Sequence, residues 1–156
     1  MTDQSKAQTR AVPPRLVAAL AGRPLLAQKF QHFQNAFHEE GVLDARLLEL
    51  CRARIDALHG LKPSTLLDAD SRQQIAAGQF DSFTHLEQQA LGAAEQLAID
   101  AHGVTDAQVA ELNAALGEAA TVSLLTAASM HDASIRLQQV LEPLSETAAG
   151  PIPGSP

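Results

Sequence analysis

Apolar residues recur along this chain at intervals of three and four positions, the spacing of one face of an α-helix. After Pro24, four positions follow this spacing: Leu26, Phe30, Phe33 and Phe37. A second apolar face follows Asp44: Leu47, Leu48, Cys51, Ile55 and Leu58. No segment of useful length alternates between apolar and polar residues as a strand would. The pattern therefore predicts an all-α protein.

Prolines, glycines and capping residues divide the chain into about six to seven helices. The predicted helices begin near residues 13, 24, 44, 64, 84, 105 and 118. They end near residues 22, 41, 60, 77, 102, 116 and 141. Ser64 or Thr65 is the predicted cap of the fourth helix, and Thr84 with Glu87 has the spacing of a capping box. Thr105 is predicted to cap the sixth.

The domain organisation predicted from this pattern is a single all-helical domain over residues 13–142. Residues 1–12 lack periodicity and are predicted to be flexible, and the Pro-rich tail 143–156 is predicted to be disordered. The last helix is apolar on nearly every side up to Ala128. Such a helix lies either in the centre of its own core or in a contact with another subunit, and self-association would bury it in the second case.

Composition and charge narrow the classes of function. The formal charge of −7 repels phosphate backbones, and the 11 basic residues are scattered, so we expect no nucleic-acid partner. No apolar run approaches the ~20 residues that cross a bilayer, and the N-terminus has no signal-peptide segment. We therefore expect no membrane association and a cytoplasmic location. The six histidines lack partners at helical spacing and no Gly-rich phosphate loop is present, so we expect neither a metal nor a cofactor.

One family resemblance covers about 100 of the 156 residues. The pattern Glu49-Leu50-x-Arg52-x-Arg54-Ile55-x-x-Leu58-x-Gly60 resembles the helix before the redox motif in the carboxymuconolactone decarboxylase superfamily, alkylhydroperoxidase D-like branch. Residues 80–143 resemble the second half of that branch, with a Gly-Val-Thr-Asp step and an Arg-Leu pair at Arg136 and Leu137. The resemblance implies a helical bundle of that type and a homo-oligomer.

The resemblance also implies which positions would carry the chemistry. The proton-relay glutamate of redox-active members falls on Glu49, and the two cysteines of their Cys-x-x-Cys motif fall on Leu61 and Ser64. The later histidine falls on Asp68. Peroxide reduction needs a thiolate and a resolving thiol, so cysteine-dependent peroxidase activity is not expected. Cys51, on the apolar face, is predicted to be a small core residue with a raised pKa.

Two functions from different classes remain open. The first is a non-peroxidatic homo-oligomer whose pocket is vestigial or binds a small molecule; the pocket candidates around Glu49 are Arg52, His59, Leu61, Ser64 and Asp68. The second is an enzyme that uses Glu49 as a proton relay, either as a lactone decarboxylase or as a peroxidase-like enzyme with a thiol supplied from elsewhere.

Simpler structural roles compete with each of these assignments. Glu49 with Arg52, and Arg52 with Asp56, have the spacing of surface ion pairs on one helix. Ser64, His59 and Asp68 contain the residue types of a hydrolytic triad, but no nucleophile elbow surrounds the serine. A capping role is sufficient for Ser64.

Overall fold

We describe the protein from a computed structural model at residues 16, 20, 22–37 and 42–148, with side chains up to residue 141. These residues form six α-helices and no strand, which confirms the predicted all-α fold and its number of helices. The helices are α1 (Pro24–Ala36), α2 (Ala45–Leu58), α3 (Ala69–Ala77), α4 (His85–Ile99), α5 (Asp106–Leu116) and α6 (Glu118–Ala148). Most of the helix predicted from residue 13, Gly41, the predicted flexible N-terminus 1–12, and residues 149–156 of the tail 143–156 that was predicted to be disordered lie outside the described residues.

Local capping signals set most of the helix starts. The Asp44 carboxylate accepts a hydrogen bond from the Leu47 amide at 2.8 Å and opens α2, as predicted. Thr84 and Thr105 both form complete capping boxes, at the starts of α4 and α5. Each cap satisfies an amide that the first turn of a helix otherwise leaves unpaired.

The predicted start of the third described helix is wrong. Helix α3 begins at Ala69, and its N-cap is Asp68, whose carboxylate accepts from the Ser71 amide at 2.8 Å. Ser64 instead accepts a hydrogen bond from the Leu66 amide at 3.2 Å, in the turn before the helix. That turn lets Leu67 reach the core, where it is buried. Tertiary burial of Leu67 thus selects the later of two possible caps.

Three helix ends also differ from the predicted ones. Helix α1 ends at Ala36, before the predicted end near residue 41. Helix α4 stops at Ile99 because Asp100 caps a short 3-10 turn, Ala101–Gly103, by accepting from the His102 amide at 3.0 Å. Helix α6 extends to Ala148, past the predicted end at residue 141, so the prediction of a disordered tail is wrong for residues 143–148.

Helix α2 is the centre of the described fold. Every side chain from residue 47 to residue 56 is buried, and α2 packs against α3, α4 and α6. The ion pairs Arg46–Glu87 and Arg54–Glu95 both join α2 to α4 at a sequence separation of 41, so these two helices run parallel. Helix α3 lies in the connection between them. Arg54 donates a hydrogen bond to the Ile75 carbonyl of α3 at 2.9 Å.

Helix α1 differs from the others because it contains no buried residue. It makes no extensive contact with another helix of the described ranges. Leu25, Leu26 and Phe33 are exposed, and Phe33 packs only edge-on against Phe37, with ring centroids 5.0 Å apart. In the apolar stripe that predicts this helix, Leu26 and Phe33 are therefore exposed, and Phe30 and Phe37 are half-buried.

Candidate functional site

Four polar residues of α2 and its C-terminal end form one line along the helix. Glu49, Arg52, Asp56 and His59 are spaced by three, four and three positions, which places them on a common face. The first three are buried, and Glu49 is only 7% exposed. The interpretation of these residues as surface ion pairs is therefore wrong. We call this line the polar face of α2.

The polar face of α2 meets α6 through two hydrogen-bonded His and Asp pairs. His59 Nε2 lies 2.6 Å from Asp132 Oδ1. His131 Nε2 lies 2.8 Å from Asp56 Oδ1. All four side chains are at least four-fifths buried. Each helix thus contributes one imidazole and one carboxylate, and the pairing is reciprocal.

Arg136 extends this arrangement to a third helix. Its Nε donates to Asp132 Oδ2 at 2.7 Å, and its Nη2 donates to the carbonyl of Ala98 in α4 at 2.8 Å. Asp132 therefore accepts hydrogen bonds at both carboxylate oxygens. The site links α2, α4 and α6, which together with α5 form the larger apolar cluster.

Asp132 is an anion at neutral pH. Burial raises the pKa of its carboxyl. Hydrogen bonds from Arg136 and His59 lower the pKa by more than burial raises it, so the pKa lies below the ordinary value of 3.8. An ionised carboxylate can only accept, so Nε2 of His59 carries the shared hydrogen.

Sequence reasoning missed the roles of His131 and Asp132 in this site. Adjacent helical residues point about 100° apart, which argues against a shared metal. The same divergence lets His131 and Asp132 reach two different positions of α2. The usable signal is the combination of an Asp-x-x-His spacing, Asp56 to His59, with a His-Asp dipeptide on another helix.

The structure does not assemble the remaining pocket candidates into one site. Leu61 is exposed, in the turn that follows α2. Ser64 and Asp68 bond to residues close to them in sequence, and hydrogen bonds from the backbone and side chain of Ser71 hold the pKa of Asp68 below its usual value. His59 pairs with Asp132 and not with Asp68, so the three residues do not form a hydrolytic triad.

Cys51 is a core residue, as predicted. Its side chain is 0% exposed and packs in the apolar cluster with Leu47 and Ile55. Burial raises the pKa of the thiol to about 12, against a smaller opposing effect of Arg52. The thiolate required for redox chemistry is therefore scarce at neutral pH and inaccessible.

Two open grooves lie away from the polar face of α2. One, of about 500 Å³, borders the start of α1 between Gly22 and Lys29. The other, of about 390 Å³, lies between α5 and the start of α6. Neither is lined by Glu49 or by the other predicted site residues.

Within the described residues, no three His, Cys, Asp or Glu side chains form a group suited to a metal ion. No helix in the same ranges combines the length and apolar character needed to cross a bilayer.

Comparisons of this chain with protein-family models, curated proteins and solved structures give no match. The class of protein that the structure itself defines is an all-α bundle with a buried polar contact between α2 and α6.

Proposed function

We propose that the protein is a non-peroxidatic, self-associating member of the alkylhydroperoxidase D-like branch whose ancestral pocket is vestigial or binds a small molecule. The observation that carries this proposal is that the protein has no accessible thiol and no pair of cysteines. Cys51 is fully buried with a pKa of about 12, and the positions aligned with the redox pair hold Leu61 and Ser64. A dithiol cycle has no pair of thiols to work with.

The test is hydroperoxide turnover in the presence of a dithiol reductant. We expect no consumption above the rate without protein, and no difference between the wild type and Cys51→Ser. Thiol labelling in the same samples should detect no reactive group in the native protein and one after denaturation, because Cys51 is the only cysteine. Appreciable turnover that Cys51→Ser abolishes would contradict the proposal.

A second candidate function is an enzyme that uses Glu49 as a proton relay, as in the lactone-decarboxylase or peroxidase-like alternatives. The burial of Glu49 beside Arg52 on the polar face of α2 favours it, because a buried carboxylate near a cation is typical of proton-transfer sites as well as structural ones. His59, with its Asp132 partner, supplies a second group able to transfer protons.

This candidate is tested by Glu49→Gln, which keeps the shape of the side chain and removes the titrating group. If Glu49 is a proton relay, a lactone-consuming activity measured for the wild type should be lower by ~100-fold or more in Glu49→Gln. The matched control is Glu111→Gln, at an exposed position of α5. Equal activity of wild type and Glu49→Gln, at an unchanged melting temperature, would favour the binding role.

A further inference from the structure

Two surfaces of the described fold are apolar, exposed and opposite in charge. The first is the α1 stripe, made of Leu26, Phe30, Phe33 and Phe37. The second is the α5–α6 groove, whose walls include Asp106, Val109, Asn113, Glu118, Thr121 and Val122. Exposed apolar surface bordered by charge is typical of protein contacts.

Basic residues border the α1 stripe on both sides. At about 100° per residue, Arg23 and Lys29 project roughly 60° to either side of the line through Leu26 and Phe33. Residues 22–37 contain no Asp or Glu, although the whole chain has a charge of −7. Neither Arg23 nor Lys29 has an ion-pair partner in the described residues. The stripe is thus a cationic helix surface on an anionic protein.

The α5–α6 groove has the complementary character. Asp106 and Glu118 stand in the first turns of α5 and α6, and neither has a cationic partner within the described ranges. Between them lie the half-buried Val109 and the exposed Val122. The acidic residues therefore frame an apolar floor, as the basic residues frame the apolar stripe of α1.

The groove also contains a polar group that the described fold does not satisfy. Thr121 is 3% exposed, and its Oγ1 has no hydrogen-bond partner. A buried hydroxyl without a partner is unfavourable, and this one belongs to a residue that lines the groove.

We propose that α1 of one copy docks in the α5–α6 groove of a second copy, with Leu26 and Phe33 against the valines and Arg23 and Lys29 beside the acidic residues. This inference rests on the self-association in the proposed function and names the surfaces that produce it. Both surfaces belong to every copy, and α1 does not occupy the groove of its own chain. The contact joins two different surfaces, so it builds a ring or an open chain of subunits.

The test combines two charge reversals, Lys29→Glu on the stripe and Glu118→Lys in the groove. Each places like charges across the proposed contact, and we expect each to raise the dissociation constant for self-association by about tenfold or more. Sedimentation equilibrium over a range of protein concentrations measures this constant. Circular dichroism establishes that each variant remains helical.

Matched controls separate this effect from the general change in charge. Lys62→Glu changes the charge by the same amount at an exposed turn position. Asp70→Lys reverses an acidic residue in the first turn of α3, the counterpart of Glu118 in the first turn of α6. We expect both controls to associate like the wild type.

An equimolar mixture of the two reversed variants completes the experiment. The Lys29→Glu chain keeps an intact groove and the Glu118→Lys chain keeps an intact stripe, so together they form a wild-type contact. The other contact of the pair joins Glu at position 29 to Lys at position 118, which also attract. The mixture should associate much more strongly than either variant alone. Association that is lost in each variant and not recovered in the mixture would overturn docking between copies.

Two other results are decisive and distinguishable. A wild type that associates, with both reversed variants equally strong, would overturn the proposed contact and leave self-association standing. A wild type that is monomeric up to about 100 μM would overturn this inference together with the oligomeric part of the proposed function, and would leave redox silence unaffected.

Discussion

At the scale of single residues, Asp132 is the acceptor that connects three helices. One carboxylate oxygen binds His59 of the α2 end, and the other binds Arg136, which in turn reaches the α4 carbonyl of Ala98. A buried acceptor of this kind is costly to lose because its donors are then left without partners. His131 and Asp56 make a second contact between the same helices.

Asp132→Asn should lower the free energy of unfolding by about 1–3 kcal/mol, because the amide has one acceptor oxygen in place of two and carries no charge, so one donor loses its partner and the other loses an ionic one. Urea denaturation at pH 7 measures the loss. The matched control is Asp100→Asn, since Asp100 and His102 also form a His and Asp pair, at 3.3 Å, but with both side chains exposed. That control should change stability by less than about 0.5 kcal/mol.

The same variant should alter the dependence of stability on acidity. The pKa of Asp132 is lower in the folded protein than the ordinary value of 3.8, so its stabilising effect is complete above the unfolded pKa and is lost as the pH falls through the folded one. The difference in stability between wild type and Asp132→Asn should be full above about pH 5 and should narrow below pH 3.8. A difference that stays constant down to pH 3 would contradict the assigned role.

At the scale of elements, α3 illustrates how one residue chooses a helix start. Asp68 accepts from both the amide and the hydroxyl of Ser71, at 2.8 Å and 2.7 Å. Ser64 is also a residue type that caps helices, but its hydroxyl stabilises only the turn that brings Leu67 to the core. The cap and the buried leucine together determine the register of α3 against α2.

Replacing the cap should therefore have a larger effect than replacing the earlier serine. Asp68→Ala should lower the melting temperature by roughly 2–4 °C, the size expected for loss of one N-cap in a chain of this length. Ser64→Ala should leave it within about 1 °C. Thermal unfolding followed by circular dichroism compares the two variants. A larger fall in melting temperature for Ser64→Ala than for Asp68→Ala would indicate that Ser64, and not Asp68, caps α3.

At the scale of the whole molecule, the helices could be predicted from local sequence signals. Which polar residues are buried depends on contacts between residues far apart in sequence. Asp44, Thr84 and Thr105 act within their own first turns, which is why the starts of α2, α4 and α5 could be predicted. The burial of Glu49 and Arg52 could not, because the spacing of a buried polar face is identical to that of a surface ion pair. What distinguishes the two is the packing of α2 in the fold, including its contact with α6, about 75 residues away in sequence.

The candidate site was predicted only in part for the same reason. Glu49, Arg52 and His59 lie on one face of α2, as the resemblance implies for a pocket. Leu61, Ser64 and Asp68 lie in the segment between α2 and α3 and do not join that face. His131 and Asp132 carry no motif of their own. Their role emerges only when α6 is placed against α2.

The enclosure of α2 on every side has a consequence for the order in which the protein opens. An amide of α2 can meet solvent only after α3, α4 and α6 separate from it, whereas α1 frays without disturbing the core. In deuterium exchange followed by mass spectrometry, peptides from Leu47–Asp56 should be the last to gain mass, at a rate governed by complete unfolding. Peptides from Pro24–Ala36 of the monomer should gain it first.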